Sequence, residues 1–238
     1  MPKVSSTVVI HQPDFIPYLG FFHRLLQTDI WIVLDHIQLN KAGWVHRDKL
    51  KTPNGVKWIS IPLKKCHLST RIMDALIAEG PWREKHLNQW HSFYHTTPYW
   101  QNILPYLEDI YANSSSTLMG FTMYSIEVML KLFGIHVPRI IYSSELQPKY
   151  TSNALVAELT RKVDSTRYLS GTGARNYFES TPFIEAGVEV FWQHFTHPIY
   201  SQPYGAFEPN LSAFDILFNC GIAKSRILLQ MALEETSI

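Results

Sequence analysis

The chain has 238 residues, of which 46% are apolar, 13% aromatic and 17% charged, with a formal net charge of +1. That length and apolarity suffice to bury a large core, which excludes an intrinsically disordered chain. The basic residues are scattered, without a long run, so neither a nucleic-acid duplex nor a polybasic membrane contact is expected as a partner.

Residues 7–10 (TVVI) read as a buried strand. They run into His11-Gln12-Pro13-Asp14-Phe15-Ile16-Pro17-Tyr18, where Pro13 and Pro17 each fix φ near −65° and disfavour helix at the preceding residue. A helix over 18–27 and a second strand over 29–35, ending on Asp35, complete a βαβ signal. Between about 36 and 63 the period changes to two, with His36, Gln38 and Asn40 alternating with Ile37 and Leu39, then Val45, Arg47 and Lys49 alternating with Trp44, His46, Asp48 and Leu50. With the turn Pro53-Asn54-Gly55, these predict short antiparallel strands appended to the sheet.

Helical spacing predicts helices over 81–94, from Thr97-Pro98 onward, and over 116–133 with Gly134 as its stop. Residues 113–117 form a polar link into the last of these. A strand at 139–142, a helix at 152–163 and a strand at 168–170 follow. Thr181-Pro182 opens a short helix that Gly187 ends, and 188–191 is a further strand. The tail from 210 is helical, stops at Cys220-Gly221 and resumes. The fold class is α/β, a Rossmann-like, mainly parallel sheet with helices on both faces. One domain over 1–238 is expected, with a strand extension at about 36–63 and a helical insertion at about 81–134. Cys66 and Cys220 lack metal or redox spacing, the amino terminus lacks a signal-peptide pattern, and no apolar run approaches the roughly 20 residues of a membrane span. A cytoplasmic protein is the expectation.

His11 falls at the carboxyl end of the first strand, where open α/β sheets bind ligands, and the flanking prolines give it a rigid frame. A ring satisfied by backbone groups in a turn is the alternative. Residues 168–177 (YLSGTGARNY) form a strand entering a glycine-bearing turn. The turn can present amides to an anion, and Arg175 can grip a phosphate or carboxylate bidentately. Neither GxGxxG nor a P-loop is present. Arg47 and Lys49 share a strand face near Asn40 and would make a cationic cup. The segment 192–204 is too apolar for an exposed loop and is expected to fold over a pocket. His194 and His197 lack a third local ligand, and no metal site is expected. His91 and His95 read as a surface pair, and Asp215 as a buried carboxylate needing partners. The candidate catalytic residues are His11, Arg175, His197 and Asp215. The candidate ligand- or anion-binding residues are Gln12, Tyr18, Asp35, Asn40, Arg47, Lys49, Ser170, Gly171, Thr172, Gly173, Tyr177, Tyr200 and Tyr204.

The opening HQPDFIPYLGFF, residues 35–40 followed by Trp44 and Arg47-Asp48-Lys49, YLSGTGARNY, QHFTHPIYSQ and NLSAFDILFNCG, taken in order, resemble the WbqC-like protein family over nearly the whole chain. The resemblance implies a role in bacterial O-antigen or other surface-polysaccharide biosynthesis. The implied activity is that of a glycine (aminoacyl or acyl) transferase or ATP-dependent ligase acting on an amino sugar or similar amine. ATP with magnesium is the candidate cofactor, and small molecules, an acyl donor and an amine acceptor, are the candidate partners. A non-catalytic nucleotide-sugar-binding protein is the alternative. His11 and the turn with Arg175 also look somewhat like the histidine and ISSTxxR-type motifs of nucleotidyltransferases.

Overall fold

The computed structural model describes residues 6–65 and 67–234, so Cys66 lies outside it. In chain order the strands are β1 (Thr7–His11), β2 (Ile30–Val33), β3 (Arg47–Thr52), β4 (Gly55–Ser60), β5 (Arg139–Tyr142), β6 (Arg167–Ser170) and β7 (Glu189–Trp192). The helices are α1 (Leu19–Leu25), α2 (Trp82–Tyr94), α3 (Trp100–Ala112), α4 (Leu118–Phe133), α5 (Ser152–Lys162), α6 (Thr181–Ala186) and α7 (Phe214–Glu234). Five strands form one wholly parallel sheet in the order β5-β2-β1-β6-β7.

Apolar residues on both faces of β1 and β2 dictate this burial. Val8, Ile10, Ile30 and Ile32 point to a core shared with Leu155 and Leu159 of α5 and Phe183 of α6. Val9, Trp31 and Val33 point to the larger core, built with Phe21 and Phe22 of α1, α4 and the start of α7. The period-two alternation thus feeds two cores, as a parallel sheet covered by helices requires.

Sequence signals placed most boundaries. Thr117 Oγ1 accepts a hydrogen bond from Gly120 N at 3.2 Å and caps α4, while Gly134 (φ 68°) and Gly187 (φ 63°) end α4 and α6 in the left-handed region. Helix α7 is interrupted at Gly221 (φ 72°), where the stop was expected. Phe214–Leu233 is nonetheless long and apolar enough, by length and composition, to cross a membrane, contrary to the expectation of no such run. Its interruption, and the burial of Phe214, Ile216, Leu217 and Phe218 in the core, mark a core helix.

The segment 36–63 departs from expectation. Only β3 and β4 are strands, and they form a separate two-stranded hairpin that is not appended to the main sheet. Residues 36–46 make one isolated bridge, Gln38 to Arg71. The reason is local. Asn40 Oδ1 accepts from Ala42 N at 2.9 Å and Asn40 O from Gly43 N at 2.9 Å, closing a turn that outcompetes strand pairing.

The aromatic strap at 193–210 is pinned by a buried polar cluster. Asp215 accepts from Tyr200 OH at 2.7 Å, Gln202 Nε2 at 2.8 Å and Tyr94 OH at 2.9 Å, while Lys51 Nζ donates to Gln202 Oε1 at 3.1 Å. Burial raises the Asp215 carboxyl above its ordinary value, and these donors oppose the rise.

Candidate functional site

The sheet order places β1 beside β6 where the chain reverses its direction of strand addition. In open α/β sheets this switch point holds the ligand crevice. The pairing there is short. β1 and β6 match only at Thr7 with Arg167 and Val8 with Tyr168, whereas β1 follows β2 to His11 opposite Val33, and β6 follows β7 to Ser170 opposite Trp192. The carboxyl ends of the two central strands therefore diverge. A cavity of about 1140 Å³ opens there, lined by His11, Gln12, Tyr18, Lys49, Ser170, Gly171, Thr172, Gly173 and Tyr177 among the expected site residues. The opening motif and the 168–177 motif, more than 150 positions apart, thus share one cavity.

The other expected residues lie outside that lining. Arg175 is exposed and stacks its guanidinium over Trp192 at 5.0 Å, because the turn after Gly171 is a short 3₁₀ segment, Thr172–Tyr177, that carries it outward. Asp35 accepts from Ser143 Oγ and Ser144 N, both at 2.8 Å, and so ties the end of β2 to the turn after β5. Asn40 closes its own turn. Arg47 donates to the carbonyls of Gly43 and Ala42. Tyr200 and Asp215 belong to the buried polar cluster, and Tyr204 OH donates to Phe93 O at 2.7 Å. His197 donates from Nδ1 to Pro198 O at 3.0 Å and packs among Phe195, Tyr200 and Phe207. Among the described residues, no three or more His, Cys, Asp or Glu side chains gather to hold a metal.

Four charged residues that sequence reasoning did not select line the cavity: Asp14, Arg24, Asp48 and the exposed Glu179. Arg24, in the last turn of α1, is only 6% exposed, yet its guanidinium makes no hydrogen bond or ion pair among the described residues, and its Nε is buried without a partner. A buried cation normally has a partner, since its unpaired burial costs several kcal/mol. The glycine of YLSGTG explains how the side chain fits. A β-carbon on Gly171 would sit well inside contact distance of Arg24 Nη1. Gly171 (φ −75°) is therefore needed for room, and its backbone angles suit any residue. Gly171→Ala should displace the guanidinium and weaken inorganic phosphate binding as far as loss of Arg24 does. Calorimetric titration checks this, and unchanged affinity would refute it.

Asp14 is 6% exposed and its Oδ1 has no partner. Burial raises its carboxyl to about 7, against the lowering influence of Gln12 and of Arg24's charge. Asp48 is 1% exposed and is raised well above its ordinary value, first by burial and further by Asp14's charge, although Lys49 N donates to its Oδ1 at 2.6 Å. His11 lines the same cavity. Its Nδ1 donates to Gln12 O at 2.8 Å and stands 3.8 Å from Asp14 Oδ2. Burial and then Arg24's charge hold its pKa down at about 3, so the ring is neutral near pH 7 with Nε2 unprotonated. The segment carrying these groups is rigid but strained. Ile16, buried and β-branched, sits at φ 39°, and Ala213 N donates to Pro17 O at 2.9 Å, holding the segment from outside.

A neutral imidazole, a carboxyl titrating near neutrality and a guanidinium with no ion pair or hydrogen bond among the described residues, in one cavity, equip it to bind an anion and move a proton. Over 217 residues the chain is 28% identical to the uncharacterized protein Rv1507c of Mycobacterium tuberculosis, covering 90% of this chain and 94% of that protein. No solved structure matches the chain. The model of the WbqC-like protein family matches residues 12–227, from the proline-framed segment through the second half of α7, and the chain belongs to that family.

Proposed function

We propose that the chain is a cytoplasmic enzyme that transfers an acyl or aminoacyl group, such as glycyl, to an amine, with an amino sugar of surface-polysaccharide biosynthesis as the acceptor. The single observation that carries this reading is the unpartnered, buried guanidinium of Arg24 in the same cavity as the Asp14 carboxyl. The donor is a carboxyl group activated through an anionic leaving group, an acyl phosphate or acyl adenylate.

In this reading the amine nitrogen attacks the acyl carbon and the new C–N bond forms. The C–O bond to the leaving phosphate breaks, and the phosphate departs with the electron pair onto Arg24. Its charge is thus met by a cation already in place, and stabilisation of this kind is a large part of most enzymic rate enhancements. Asp14 takes the proton released by the amine. A carboxyl raised to about 7 suits that task, because a general base works best with a pKa near the working pH. His11, neutral and fixed from Nδ1, lines the same wall as a hydrogen-bonding group.

Incubation with ATP, glycine and amino-sugar nucleotides, followed by mass spectrometry, tests the reading. An acylated sugar formed together with AMP or ADP is expected. Phosphate binding without any product would favour a nucleotide-sugar-binding protein instead, and pyrophosphate release with a newly formed sugar nucleotide, when an amino-sugar 1-phosphate replaces the sugar nucleotide, would favour a nucleotidyltransferase.

A further inference from the structure

The hairpin β3–β4 and the loop that leads into it present two tryptophans that the fold does not fully bury. Trp44 is 36% and Trp58 39% exposed, their ring centroids are 5.0 Å apart and their planes are inclined by 47°. Neighbouring pairs in the structure, Trp90 with Tyr94 and Phe218 for example, are wholly interior. Large indoles left at a surface mark a place where something else packs.

The loop that carries Trp44 is built with care. Phe15 N donates to Trp44 O at 3.0 Å, joining the loop to the segment that bears Asp14. Arg47 Nε donates to Gly43 O at 3.2 Å, and the Arg47 guanidinium lies 4.2 Å over Trp58. Trp58 and Lys49 are cross-strand partners, so Trp58 backs the pair from β4. The Lys49 ammonium stands 5.2 Å from the centre of Trp44 and 5.3 Å from that of Trp58, and it makes no ion pair among the described residues. Trp44 and Lys49 both line the cavity that holds Arg24, whereas Trp58 and Arg47 stand behind them.

We propose that this indole pair is the mouth subsite for a phosphorylated pyranose, the sugar ring packing against Trp44 and its phosphate meeting the cations that Lys49 and Arg24 contribute to the lining. The proposal rests on the reading of the cavity as an anion site and adds a second phosphoryl group, the acceptor's own, that shares the cationic lining with the donor's leaving phosphate. Trp44 alone of the pair offers an indole face at the lining, an apolar surface against which the C–H-bearing face of a pyranose packs. The Lys49 ammonium beside it supplies the complementary charge.

Calorimetric titration with inorganic phosphate, glucosamine 1-phosphate and AMP tests this, on the wild type and on Trp44→Ala, Trp44→Leu, Trp58→Ala and Arg24→Met. Glucosamine 1-phosphate should bind the wild type about tenfold more tightly than inorganic phosphate, the worth of one good aromatic contact. Either Trp44 variant should erase that increment while leaving the affinity for inorganic phosphate unchanged. Trp58→Ala should reduce it by loosening Trp44, and Arg24→Met should weaken every anion. Both tryptophans are partly exposed, and the two Trp44 variants guard against a single misfolded one. A sugar increment that survives in both Trp44 variants overturns the proposal while leaving the anion site standing, and so does an AMP increment that exceeds the sugar's and depends on Trp44. A wild type indifferent to all three ligands removes the anion reading and this subsite together.

Discussion

Arg24→Met should sharply slow turnover while making the folded chain more stable. The wild type buries a guanidinium at 6% exposure with its Nε unpartnered and no carboxylate within ion-pair distance. Exchanging buried ionic groups for apolar ones of similar size stabilises proteins by about 1–4 kcal/mol, and methionine keeps the apolar stem that Arg24 packs through α1. A residue retained for the fold would give the opposite sign. Activity should fall by about a hundredfold to a thousandfold, the range for losing one preorganised donor to developing charge. Phosphate affinity should fall by about tenfold or more, since a charged hydrogen bond contributes about 1.5–3 kcal/mol. Urea denaturation and the acylation assay measure the two halves. Lower stability with wild-type activity would show that Arg24 serves the core alone.

Asp14→Asn should lower the rate by about a hundredfold to ten-thousandfold, as expected when a general base is removed. It should also change the pH dependence of stability. The Asp14 carboxyl is raised from 3.8 to about 7 in the folded chain. Between those values the folded state keeps a proton that the unfolded state has released, so this residue's contribution to stability falls as pH rises through the interval. Above about 7 both states are ionised and the penalty is constant. The asparagine variant lacks the penalty. Its stability relative to wild type should therefore climb from about pH 4 to about pH 7 and then level off. Working from a difference between two proteins cancels the opposite trend from His11, whose lowered pKa costs stability as pH falls below 6.5. In the wild type the rate should rise with pH through an apparent value near 7, that of the Asp14 carboxyl. A stability difference that is flat with pH would remove Asp14 from the role of base.

Much of the framework was legible because its causes are local. β5 was placed to the residue by a β-branched run after a proline, and α4 and α6 ended on the glycines that the chain needed for a positive φ. His11 and the 170–173 turn, which line the cavity, stood out in the sequence because strand ends and flanking turn residues announce themselves. Residues 36–46 were misread because alternation is only a pattern of side-chain polarity, and a turn closed by Asn40 satisfies the same backbone groups another way. Arg24 escaped for a different reason. It sits in a short helix as an ordinary basic residue of the last turn, and nothing in its neighbourhood says that its guanidinium lodges under Gly171, nearly 150 positions away. Arg175, next to the visible motif, was chosen in its place. Asp14 and Asp48 were in view within quoted segments, but their burial depends on how those segments pack against each other.

The brief pairing of β1 with β6 leaves the sheet with a seam. Two ladders, β5-β2-β1 on one side and β6-β7 on the other, are joined directly by a pair of register positions near their amino ends. Arg24 hangs from the first ladder through α1, and the 171–173 turn extends the second. An anion gripped by both would act as a clasp across this seam, so that occupying the crevice and stiffening the whole sheet would be a single event.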